Sequence, residues 1–244
     1  MKLRVNSLLL LLIFSFVTAC GSNDYISAFD RTVSNSSTET TPLNEVNSES
    51  SQSEVPLGDN SENPETLLFD KILENSNVPE QALEKAFLYL DEHHDEFENQ
   101  KWITIFDIKQ HSGNKRLYII NMENGEVTAT TTAHGKNSDP DHDGYATSFS
   151  NTSGSNKSSL GFMKTAETYS GKYGYSLRLD GLESRNDNVR PRAVVIHGAN
   201  YVNEEWDKMG RSLGCPALDF DIKNWVVDRI RNGSLFYTYH EDYE

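Results

Sequence analysis

The chain has 244 residues, with 37 acidic and 22 basic side chains and a formal net charge of −15 at pH 7. That balance argues against a nucleic-acid partner, which would call for a basic patch. The excess is uneven: residues 21–64 carry eight acids and one base, 65–100 carry ten and two, and 101–244 carry nineteen and seventeen. The acidity therefore belongs to the N-terminal part. The near-neutral remainder is long enough to build one real core.

The chain opens with Lys2 and Arg4, followed by a ten-residue, almost wholly apolar run from Leu8 to Val17. A run of that length suits an export signal and is too short to span a bilayer. It closes on Val17-Thr18-Ala19-Cys20-Gly21, small residues and then a cysteine, which resembles a bacterial lipobox. The resemblance implies that residues 1–19 are removed and that Cys20 is acylated on its thiol and on its new amine. Several acyl chains anchor stably, because each buried CH2 contributes roughly 0.8 kcal/mol. An ordinary cleavage site that abuts a cysteine is the alternative. Gly21 lacks an inner-membrane retention signal, so the expected location is the outer membrane, facing the periplasm, where two membranes exist.

Residues 20–64 then read as a tether. Beyond Cys20 they are rich in Ser, Asn, Thr and Glu, have no apolar periodicity, and cannot bury enough surface to offset their ordering entropy. Residues 65–100 read as a helical pair. The first helix spans about 65–75, and Asn77 and Pro79 signal the start of the second. In that second helix Leu83, Ala86, Phe87, Leu90 and Phe97 share one face, a stripe that predicts packing on the following domain.

From Trp102 the period changes. Strands are expected over 102–108, 116–121, 127–132, 175–179, 193–197 and 234–239, with a hairpin at Asn124-Gly125. One helix is expected over 219–231, ended by Gly233. Residues 101–244 are thus a mainly β domain with one C-terminal helix.

The stretch "GRSLGCPAL", residues 210–218, holds the only cysteine besides Cys20. A lipidated Cys20 cannot form a disulfide, which leaves Cys215 a lone thiol. A free cysteine is often just a small buried hydrophobe. The surroundings offer a second reading. Arg211 lies four residues upstream and would favour a thiolate if the side chains meet. The apolar run Ala193-Val194-Val195-Ile196 ends in His197-Gly198, and a strand end is a rigid place to present an imidazole. A cysteine and a histidine are the minimum set for a thiol nucleophile.

His197, fourteen further residues and then Ser212-Leu213-Gly214-Cys215 resemble the catalytic motif of the L,D-transpeptidases. The segments "RLYIIN", "TAHGKNS", "FSNTSGSNKSSLGFMKTAETYSGKYGYSLRLDGLE" and "RAVVIHGANYV" extend the resemblance over roughly 101–240. It implies an L,D-transpeptidase-type β-sandwich preceded by the short helical pair. It also implies a Cys215 nucleophile, a His197 base, a Ser212 that orients the histidine, with its backbone carbonyl as one candidate group, and an oxyanion hole from the Gly214 and Cys215 amides. The implied reaction forms 3→3 cross-links between peptidoglycan stem peptides through a cysteine thioester, with no metal or organic cofactor, and implies acylation by carbapenems. Water as acceptor would make the same site an L,D-carboxypeptidase or a cross-link hydrolase. A non-catalytic peptidoglycan-binding lipoprotein is a third reading. A papain-like protease fails on the order of His and Cys.

Two positions depart from the family pattern. Leu213 stands where a histidine is frequent, and Ala217 where Arg or Asn is frequent. The substrate carboxylate then needs another partner, with Arg211, Arg178, Arg190 and Arg192 as candidates. His134 and Tyr169 are further candidates for the substrate cleft, as are Tyr173 and Tyr175; all of these could equally be packing or turn residues. "DPDHDG", residues 139–144, imitates the start of a calcium loop, but the twelfth position is Ser150 and not glutamate, so an acidic surface turn is expected. Residues 148–162 are long and polar for a loop and read as a lid or a substrate-contacting segment.

Overall fold

A computed structural model describes residues 63–243. The signal segment 1–19, Cys20 and all but the last two residues of the 20–64 tether lie outside the described residues. The described residues belong to one compact unit.

Two helices open this unit. Helix α1 (Pro64–Glu74) is capped by Asn63, whose side chain accepts from the Glu65 N–H, and has Pro64 at its first position. Helix α2 (Glu80–Glu92) starts later than Asn77 suggests: Pro79 is its N-cap, and Asn77 lies outside. It is also shorter than the apolar stripe, because a 3-10 turn (His94–Glu96) intervenes before Phe97.

Eight strands follow: β1 (Trp102–Asp107), β2 (Leu117–Asn121), β3 (Val127–Thr130), β4 (Gly161–Gly171), β5 (Gly174–Gly181), β6 (Val195–Gly198), β7 (Ala217–Leu218) and, after helix α3 (Phe220–Ile230), β8 (Leu235–Tyr239). They form one sheet in the order β3-β2-β1-β8-β4-β5-β6-β7. The β1–β8 and β6–β7 pairings are parallel; the others are antiparallel. The sheet curls, and the chain leaving its first edge strand meets its last: Ala133 bridges Ala217, and Gly135 bridges Ser212.

Alternation along the strands supplies a core on each face. Ile103, Ile105, Tyr118, Ile120, Leu235 and Tyr237 face α1 and α2, where Phe69, Ile72, Leu83, Ala86 and Phe87 are buried with Phe97. The other residues of the same strands, among them Phe106, Leu117, Ile119 and Phe236, join Ile196, Leu218 and the Val226, Val227 and Ile230 side of α3. Helix α3 is capped by Asp219, which accepts from the Asp221 N–H, and the chain turns out of it through Asn232 (φ 63°) and Gly233 (φ 94°).

The longest strand was not expected. β4 runs through "GFMKTAETYSG", where the inward positions include Gly161 and Thr165 alongside Met163. That pattern has too few large apolar residues to read as a core strand, and a bulge between Thr165 and Thr168 breaks its period. β7 has two residues and exists through its neighbours.

Candidate active site

The parallel pairing of β6 and β7 builds the site. His197 is paired with Ala217 and Gly198 with Leu218. Two residues upstream on each chain, Val195 and Cys215 come together, and the Val195 N–H donates to Cys215 Sγ at 3.4 Å. The His197 and Cys215 of the sequence motif are therefore carried by adjoining segments. The thiol also points at the Ala193 carbonyl, 3.8 Å away. Ala193 is held at φ 54°, a conformation that costs a non-glycine residue roughly 1 kcal/mol or more.

His197 is 3% exposed. Its Nδ1 lies 3.0 Å from the Gly198 carbonyl, which requires the Nδ1–H tautomer and leaves the Nε2 lone pair as the basic site. Tyr173 stacks on the ring, with centroids 4.5 Å apart. Burial lowers the imidazole pKa, the Gly198 carbonyl opposes that, and the charge of Lys223 lowers it further. The ring is thus held neutral near pH 7 and able to accept a proton.

Cys215 is half-buried and free. Burial pushes its thiol pKa up; the Val195 N–H and the Arg192 guanidinium pull it down. The phenol of Tyr201 is pushed up to about 12 by burial, then by the charges of Cys215 and Tyr173, so it stays protonated beside them.

The turn before Cys215 differs in two respects from its expected roles. The Ser212 hydroxyl donates to the Cys215 carbonyl at 2.7 Å and accepts from the Gly214 N–H at 3.0 Å, while the Ser212 carbonyl accepts from the Lys136 N–H. Ser212 therefore shapes the turn, and the carbonyl that orients His197 belongs to Gly198. The Gly214 N–H is committed to Ser212, which removes it from the expected oxyanion hole. The Cys215 N–H has no acceptor among the described residues. Gly214 itself stands at φ +124°, where an added Cβ would lie 2.8 Å from the Lys157 carbonyl.

Arg211 does not meet the thiol. Its guanidinium donates to the carbonyls of Lys136, Asp139 and Pro140 and ties down that loop. The cation near Cys215 is Arg192. Its Nη1 donates to the Ser150 carbonyl and Ser159 Oγ, both at 2.6 Å, and its Nη2 to Ser155 Oγ at 3.2 Å and the Lys157 carbonyl at 2.6 Å. Arg192 thus pins the 148–160 segment, which has no regular structure, against the Ser212–Cys215 turn.

His134 is not a cleft residue. It is 1% exposed; its Nδ1 accepts from Arg116 Nη2 at 2.9 Å, and its Nε2 lies 3.2 Å from Asp139 Oδ2. Burial, then the Arg116 charge, pulls its pKa to about 3. Its backbone still serves the site, because its carbonyl accepts from the Ser212 N–H at 2.8 Å. Asp139 is engaged likewise: its carboxylate accepts from the Asp143 and Gly144 N–H groups besides facing His134. Tyr169 is half-buried with the Arg178 guanidinium 4.4 Å over its ring. Tyr175 directs its hydroxyl to Asp228. Sequence reasoning missed the Val195 N–H, the Gly198 carbonyl and Tyr201. The first two are backbone groups without a side-chain signature, and nothing in the sequence links Tyr201 to the thiol.

A free thiol and a buried imidazole, carried on adjoining segments at the edge of a curled β-sheet, define the class of site. The chain belongs to the L,D-transpeptidase catalytic-domain family, whose profile matches residues 74–239. No curated protein matches the chain. Among solved structures it is similar to an L,D-transpeptidase from Mycobacterium smegmatis (14% identity, TM-score 0.37, 57% of this chain and 58% of that one). It is also similar to the LD transpeptidase LdtMt1 in complex with imipenem (15%, 0.36, 57% and 59%). A third is Bdellovibrio bacteriovorus Bd1075 (13%, 0.37, 60% and 50%). The chain thus spans between half and three fifths of the length of these structures.

Proposed function

We propose that this protein is a peptidoglycan L,D-transpeptidase that forms 3→3 cross-links through a thioester on Cys215. The observation that carries the reading is the His197 ring, pinned through Nδ1 to the Gly198 carbonyl on the strand beside the thiol. In the first step Nε2 takes the Sγ proton and the sulfur bonds to the carbonyl carbon that precedes the terminal D-alanine of a stem. The Cys215 N–H donates to the resulting oxyanion. The C–N bond then breaks, and the departing amine takes the proton from Nε2. In the second step the side-chain amine of another stem gives a proton to Nε2 and attacks the thioester, and Sγ is released as the thiol. The Val195 N–H and Arg192 favour the thiolate that burial opposes.

On the same reading the protein is exported and lipidated on Cys20, with residues 21–62 as the leash that lets the catalytic unit reach the wall from the outer membrane. The motif at 17–21 and the composition of the segment support this. Purified muropeptides incubated with the full chain, with products read by mass, test the reaction. Joined stems with loss of alanine are expected. Loss of alanine alone would assign hydrolysis, and no change in any stem would refute the reading.

A further inference from the structure

Lys223, on α3, is 6% exposed. Its ammonium has no hydrogen bond and no ion pair among the described residues. Its neighbours are the rings of Phe220, 5.8 Å from the ammonium to the centroid, and Tyr175, 5.9 Å. A lysine this buried is rare unless paired, because its desolvated charge is costly without a counter-anion. Its stem runs against the end of β6: a Cβ on Gly198 would lie 3.0 Å from Lys223 Cδ. The ammonium is close enough to the neighbouring His197 for its charge to lower that imidazole's pKa.

The arginines that could take a substrate carboxylate are committed elsewhere. Arg211 and Arg192 hold loop carbonyls and serine hydroxyls. Arg190 grips Asp180 and Glu167, and Arg178 pairs with Glu167. Ala217, at the position where the family pattern often has Arg or Asn, is fully buried and apolar. Lys172, over the Tyr173 ring at the β4–β5 turn, is exposed, and an exposed charge needs no counter-anion.

We propose that Lys223 is the specificity residue that binds the free α-carboxylate of the donor peptide's terminal residue. This rests on the transpeptidase reading above. There the departing amine takes its proton from His197, so the leaving residue lies against that ring, and its carboxylate is separated from the amine by one carbon. The anion would complete the charge of Lys223, and Phe220, 52% exposed, offers an apolar wall beside it.

The test uses the full chain carrying Cys215→Ala, which cannot turn over, and two probes: a stem tetrapeptide with a free C-terminal carboxylate and the same peptide as its C-terminal amide. A charge-assisted pair predicts roughly 10- to 100-fold tighter binding of the acid. That preference should fall to about one in Lys223→Met, which keeps the stem's bulk, and in Lys223→Gln. It should persist in Lys223→Arg and in Lys172→Met. In Lys223→Met the His197 ring titration, followed by NMR, should move upward. A preference unchanged in Lys223→Met, lost only in Lys172→Met, or absent from the start would overturn the assignment while leaving the transpeptidase reading intact. Binding of neither peptide by any variant would overturn both.

Discussion

Arg192→Met tests whether the turn that carries Cys215 is held and tuned by one side chain. The substitution removes four donors that pin Ser150, Ser155, Lys157 and Ser159. Hydrogen bonds from a charged group contribute roughly 1.5–3 kcal/mol each, but the freed carbonyls and hydroxyls of this part-exposed loop regain water. A net loss of about 2–4 kcal/mol follows, which for a protein of this size lowers the melting temperature by roughly 5–15 °C. The same change removes the cation that offsets burial at Cys215, so the thiol pKa rises further and less thiolate is present at neutral pH. The rate of iodoacetamide alkylation should be followed against pH by mass on the peptide containing Cys215, because Cys20 is a second cysteine. Its midpoint should move to higher pH, and alkylation at pH 7 should slow accordingly. Arg192→Lys separates the two effects: it keeps the charge and loses the fork, so the midpoint should stay near wild type while the melting temperature falls. An unchanged midpoint in Arg192→Met would refute the electrostatic role, and an unchanged melting temperature would refute the clamp.

A carbapenem should give one covalent adduct, on Cys215, that is absent in Cys215→Ala; in His197→Ala acylation should slow roughly 100- to 10,000-fold as measured by intact mass against time. Gly214→Ala should destabilise by about 1–3 kcal/mol in denaturant melts from its φ of +124° alone, and should lose activity because the new methyl meets the Lys157 carbonyl. Because the pKa of His134 is pulled to about 3, the unfolded chain takes up a proton below about pH 6.5 that the folded protein refuses, so stability falls as pH drops from 6.5 towards 3. Thermal melts at pH 7 and pH 4.5 should show a smaller drop for His134→Gln, and equal drops would contradict this origin. Chelation should leave the melting temperature unchanged, since the Asp139 carboxylate is already engaged by Asp143, Gly144 and His134; a large fall would mark a metal site.

Much was legible in the residues alone. Alternation from Trp102, the Asn124-Gly125 turn and the Asp219 to Gly233 helix signals follow from local steric and capping preferences, which act over a few neighbours. The spacing of His197 and Cys215 is likewise written in the chain, and it singled out both residues. What lay beyond the sequence was decided by contacts distant along it. β4 is a strand because β8 and β5 supply its hydrogen bonds on either side, although its own side chains are mostly polar or small. Arg192 and Arg211 are both arginines on the approach to the site. Only the closing of the sheet, Ala133 on Ala217 and Gly135 on Ser212, sends one towards the thiol and the other into a loop. The same closure buries His134 with Arg116 and Asp139, where desolvation makes it a structural group. It also leaves the Gly198 carbonyl facing His197 and the Val195 N–H facing Cys215, and backbone groups carry no residue identity from which such contacts could be read.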